Sequence, residues 1–107
     1  MTELNVNSTF DRVDNLISEL DNDWGLMTED MQRLHYRNEN TVDRLRYESR
    51  IVTSSISTLD SEGVNTLNVI IKQLEKVLEI VTLFKITNKM IDELDMYSED
   101  GFYSGSR

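Results

Sequence analysis

Apolar side chains recur through the first third of the chain at alternating spacings of three and four residues. Phe10, Val13, Ile17, Leu20, Trp24, Met27, Met31 and Leu34 form the series, and this spacing keeps one stripe of an α-helix turned toward a partner. The same phase runs on through Asn38, Thr41, Leu45, Glu48, Val52, Ser55 and Leu59. The stripe therefore turns partly polar after Leu34 and returns at Leu45, Val52 and Leu59.

Two readings fit this pattern: one helix over residues 8–60, or two helices broken near Asp23-Trp24-Gly25. The broken form is favoured. Gly25 can cap the first helix in the left-handed conformation, and Thr28 can cap the next, with Glu29 and Asp30 in its first turn. Ser8 or Thr9 supplies a hydroxyl at the start of the first helix, with Asp11 placed favourably for the helix dipole.

A second, wider stripe follows. Leu67, Ile70, Ile71, Leu74, Val77, Leu78, Val81, Phe84, Ile91 and Leu94 occupy one side of a helix expected over 64–97, roughly 50 Å long at 1.5 Å per residue. Ile80, Leu83, Ile86 and Met90 spread the apolar surface over more than half the circumference between Val77 and Met90, so this segment is expected to meet at least two other helices. Between the two patterns, the hydroxyl-rich stretch Thr53 to Thr58 weakens helix propensity, and Asp60-Ser61-Glu62-Gly63 reads as a turn.

These elements predict an all-α fold in one domain over residues 1–97, with helices at about 8–24, 28–60 and 64–97. The two long helices are expected to form an antiparallel hairpin, with the shorter N-terminal helix as a third element of a coiled-coil or three-helix-bundle-like arrangement. Residues 98–107, with Gly101, Gly105 and three serines, read as a flexible tail, in which Phe102 and Tyr103 could form a short docking motif.

Composition agrees with the helical reading: the 107 residues include no proline and only four glycines, leaving the strongest helix breakers nearly absent. Hydrophobic residues make up 38% and charged residues 29%, lean for a compact globule and suited to elongated helices or a shared core. The formal net charge is −9 and unevenly spread: residues 1–30 carry eight acids against Arg12 alone, residues 31–50 are net +2, and the remainder is net −4. Such a field repels nucleic-acid phosphate and anionic lipid, so neither direct nucleic-acid binding nor membrane insertion is expected. Met1 to Asn7 has neither the basic start nor the apolar core of a signal peptide, and no window is long and apolar enough to span a bilayer. The expected setting is soluble and intracellular, cytoplasmic or nuclear.

Candidate chemistry is sparse. There is no cysteine, His35 is the only histidine, and no glycine-rich loop that could cradle phosphate is present. Without a second histidine or a cysteine, His35 reads as a structural or solvated imidazole beside the stripe, and neither catalytic residues nor a metal or other cofactor are expected. The acids at Asp21-Asn22-Asp23 lack the downstream glycine and glutamate of a calcium loop.

The expected function is therefore a non-enzymatic subunit of a larger hetero-oligomeric assembly, binding partner helices through amphipathic coiled-coil faces. The residues expected to carry it are Trp24, Met31, Leu34, Leu45, Leu74, Val81 and Phe84 on the apolar stripes, Asn38 as a polar register element on the seam, and Arg37 and Arg44 beside it. The two arginines lie one heptad apart, where they can pair with the acidic N-terminal segment or with a partner. A homo-oligomeric structural coiled coil is an alternative. So is a free-standing acidic inhibitor or nucleic-acid mimic, built on the acids between Asp11 and Asp30.

Overall fold

The computed structural model describes residues 3–99; Phe102, Tyr103 and most of the expected tail lie outside them. The elements in chain order are β1 (Leu4–Asn5), α1 (Asn7–Asn22), a 3-10 turn (Trp24–Leu26), α2 (Glu29–Glu48), β2 (Arg50–Thr53), β3 (Ile56–Leu59) and α3 (Ser61–Glu99). The chain is mostly helical, as its pattern predicts, but a small three-stranded antiparallel sheet with strand order β1-β3-β2 corrects the all-α expectation.

The break between the first two helices is present, by a different device from the one expected. Gly25 does not enter the left-handed region, since no described glycine has a positive φ. The chain tightens instead into the 3-10 turn, with Leu26 N–H bonded to Asp23 O at 2.9 Å and Met27 N–H to Trp24 O at 3.1 Å. It then extends through Met27 and Thr28, and Thr28 caps α2 as expected by accepting the Met31 N–H at 3.2 Å. The start of α1 also differs. Neither Ser8 nor Thr9 caps it; the helix begins at Asn7, whose N–H bonds Asn5 Oδ1 at 3.1 Å.

The second helix stops at Glu48 rather than continuing to residue 60. Ile51, Val52, Thr53, Ile56 and Thr58 are β-branched and suit a pleated strand. Their chain reverses at Ser54-Ser55, and the pairing shifts register between Ile51 and Thr53. Asn7 clamps this hairpin to α1: its Oδ1 accepts from Ser57 N–H at 2.7 Å and its amide donates to Ser55 O, while Val6 N–H bonds Ser57 O at 3.0 Å. The hydroxyl-rich run is thereby held by the side chain of one residue about fifty positions away. Helix propensity alone cannot register that.

Residues 61–63 form the first turn of α3, not a separate loop. Asp60 caps it, accepting the Gly63 N–H at 2.9 Å. A Cβ on Gly63 would come within 3.3 Å of the Leu59 side chain, so glycine lets the strand and the helix start lie close together.

The core joins one face of each helix. Phe10, Val13, Leu16, Ile17 and Leu20 of α1 meet Leu67, Ile70, Ile71, Leu74, Val77 and Val81 of α3, with Val42 and Leu45 of α2 and Leu59 of β3 closing the sides. The cross-pairs Arg12 with Glu75 and Asp23 with Lys85 run α1 and α3 in the same direction. Asp14 with Arg46 and Asp21 with His35 set α2 opposite to α1, and Asn38 bonds Gln73 of α3 at 3.1 Å. α3 packs chiefly on α1, with a lighter contact to α2.

Candidate functional site

The 39 residues of α3 span about 58 Å at 1.5 Å per residue, and the molecule extends 70 Å along its long axis. α1 ends at Asn22, and Lys85 reaches back to Asp23 at 2.8 Å. That ion pair marks where intramolecular packing on α3 stops. Beyond it Ile86, Met90, Ile91 and Leu94 are about half exposed or more, as is Leu83 just before it. At 100° per residue these five fall within one broad face of the helix. Of the segment from Val77 to Met90, expected to meet at least two other helices, Val77 and Val81 are buried and Phe84 is half-buried, while the residues after Phe84 are exposed.

The face does not end abruptly where the core begins. A shallow groove lined by Leu16, Leu78, Leu83, Thr82, Glu75 and Glu79 connects the α1–α3 seam to the exposed stripe. Its walls are apolar and its rim carries carboxylates. A second exposed apolar feature lies at the opposite end of the molecule, where Ile51 and Val52 face outward on β2, an edge strand of the sheet.

The residues expected to bind partners divide in two. Leu45, Leu74 and Val81 are buried in the chain's own core, and so is Asn38, whose amide is satisfied by Gln73. A heptad pattern marks positions that face some helix without saying whose, and for these four the helix is internal. Met31 and Leu34 are half-buried against the same core. Trp24 is 42% exposed and its ring lies tilted by 59° against that of His35, with centroids 5.8 Å apart. Phe84 sits at the edge of the exposed stripe. Leu83, Ile86 and Met90, expected only to spread the apolar face, and Ile91 and Leu94, expected on the stripe itself, form an exposed surface absent from the residues expected to bind partners. Their signal was the apolar run's extension past the length of the short N-terminal helix.

The basic segment is largely absorbed within the molecule. Arg46 pairs with Asp14 at 2.5 Å and lies 4.7 Å over the Phe10 ring, and Arg50 pairs with Glu3. Pairing with the N-terminal segment therefore occurs, through Arg46 and Arg50 rather than the expected Arg37 and Arg44. Arg44 bonds Glu48 on its own helix at 3.3 Å, and Arg37 is exposed. Many of the N-terminal acids are likewise engaged: Asp14, Asp21 and Asp23 reach other elements, and Glu29 and Asp30 pair with Arg33.

His35 is neither solvated nor at the margin of the stripe. It is 1% exposed, with Nε2 at 2.7 Å from Asp21 Oδ1, and its Nδ1 is buried without a partner. Glu39, one turn further along α2, brings a third potential ligand group into the same corner.

No described helix is long and apolar enough to cross a membrane. Compared with known protein families, curated proteins and solved structures, the chain matches none of them.

Proposed function

We propose that the protein is a non-enzymatic interaction subunit, and that the projecting half of α3 accepts an apolar helix from a different protein. The observation that carries this reading is the stripe Leu83, Ile86, Met90, Ile91 and Leu94, exposed on a helix that runs beyond α1. An amphipathic helix left without its partner is stable only because the rest of α3 is anchored, and burying the stripe is favourable at about 25 cal/mol per Å² of apolar surface. Helix-in-groove association reads such anchors at spacings of three and four residues. The partner would complete the coiled-coil or bundle packing for which α3 is patterned along its length.

Charge supports a different chain over a second copy: each copy carries a net −9, so two copies repel, whereas a basic partner is attracted and a neutral one is not repelled. The acidic-mimic reading is less well supported, because so many of the acids between Asp11 and Asp30 are spent on internal ion pairs.

The test is to recover partners with the tagged full chain from its native cells, beside an Ile86→Glu/Met90→Glu double variant. The expected outcome is a partner lost in the variant while thermal unfolding is unchanged. A partner retained by the variant would overturn the assignment of this face. A concentration-dependent dimer mass in light scattering, abolished by the same substitutions, would replace the different partner by a second copy.

A further inference from the structure

The corner where α1 hands over to α2 holds three metal-ligating side chains from two helices. Asp21 lies in the last turn of α1, and His35 and Glu39 lie one turn apart on α2. One ligand atom from each comes within 4.8 Å of the others. We infer that Asp21, His35 and Glu39 form a site for a divalent transition-metal ion of the zinc class, which ties the end of α1 to the middle of α2.

The imidazole is the first reason. His35 is buried, yet only one of its ring nitrogens has a partner: Nε2 meets Asp21 Oδ1 at 2.7 Å while Nδ1 meets none. The two ring nitrogens point apart and Asp21 faces Nε2, so an ion shared with Asp21 would bind at Nε2 and leave Nδ1 to carry the proton of the neutral ring. The set then offers one neutral nitrogen donor and two carboxylates whose charges balance a divalent cation. Mixed nitrogen and oxygen donors favour zinc-class ions over calcium, which takes oxygen alone.

Electrostatics is the second reason. The C-terminal end of a helix carries partial negative charge and favours cations. α1 has no basic residue in its last turn and instead ends in Glu19, Asp21 and, just beyond, Asp23. Lys85 answers Asp23. A cation held by Asp21 and Glu39 would answer the rest.

The geometry is within reach. Bonds of about 2.1 Å to a tetrahedral ion set ligand atoms about 3.4 Å apart, so Asp21 Oδ1 would open from its present 2.7 Å to the imidazole while Glu39, now within 4.8 Å, would close by up to about an ångström. Asp21 is exposed and Glu39 half-exposed, leaving both free to change rotamer around the fixed ring. The sequence alone sets metal binding aside for want of a second histidine or cysteine. The fold supplies carboxylates in their place, one of them 14 residues away across the helix break.

The protein contains its own reporter, since Trp24 is the only tryptophan and packs on the His35 ring. The test uses the full chain stripped with chelator and titrated with zinc and with cobalt(II), following Trp24 fluorescence, cobalt absorption and the melting temperature. Expected are saturable one-to-one binding with a Kd of about 10 μM or tighter, a changed Trp24 signal and a raised Tm. Asp21→Asn and Glu39→Gln should each weaken binding by about ten-fold or more, and Glu39→Gln, which leaves the Asp21–His35 bond in place, should do so while the metal-free protein melts as before. Absence of saturable binding would overturn the inference, as would binding that both variants retain unchanged, which would place the ion on other surface acids.

Discussion

The two halves of α3 are similar in composition and opposite in circumstance. From Leu67 to Val81 the helix presents Leu67, Ile70, Ile71, Leu74, Val77 and Val81 to α1 and α2, and all six are buried. From Leu83 to Leu94 it offers Leu83, Ile86, Met90, Ile91 and Leu94, and all five are exposed. Hydrophobic spacing at three and four residues is the same instruction in both. What differs is the length of the neighbours: α1 has 16 residues and α3 has 39, so the shorter helix runs out before the apolar face does. An apolar stripe is thus a demand for a partner, and only the lengths and connections of the other elements decide whether the chain meets that demand itself.

Matched truncations in the two halves test this contrast. The largest effect is expected at Leu74, fully buried at the centre of the packed half. Leu74→Ala should cost about 2–5 kcal/mol in chemical denaturation, a large share of the stability of a domain this size. Phe84→Ala, at the boundary, should cost roughly 1–2 kcal/mol, because a half-buried ring forfeits only part of its packing.

At the other end of α3, Asn7→Ala removes both side-chain bonds that hold the β2–β3 hairpin to α1. A loss of about 1 kcal/mol is expected, with faster amide exchange confined to residues 50–59 if the hairpin loosens as a unit. Leu94→Ala should change stability by less than about 0.5 kcal/mol in the isolated chain. If Leu94→Ala instead proved as costly as Leu74→Ala, the projecting half would have to be packed in solution, and the contrast would fail. In complex with a partner the order should partly invert, since residues that are silent in the free chain then carry the interface.

Much of the helical content was legible because it rests on local rules. The absence of proline, the run of three-and-four spacings and the Thr28 cap with Glu29 and Asp30 behind it mark α1, α2 and α3 with little help from distant residues. The hairpin was not legible in the same way. Val52 and Leu59 continue the heptad phase by coincidence of spacing, yet Val52 is exposed on an edge strand and Leu59 is buried beside Gly63. The deciding contacts come from β1 and Asn7, far away in sequence.

For the candidate sites the division is similar. Residue order and composition already require long amphipathic helices and apolar stripes in need of a facing surface, and supply a single histidine without a second histidine or a cysteine to join it. Tertiary structure alone decided which stripe residues are spent internally, leaving Leu45, Leu74 and Val81 in the core and Leu83 to Leu94 outside. It also decided that Asp21 crosses the helix break to meet His35 at 2.7 Å. Periodicity fixes the direction a side chain takes from its own helix axis. What stands in that direction depends on where the other helices end, and that follows from packing the whole chain at once.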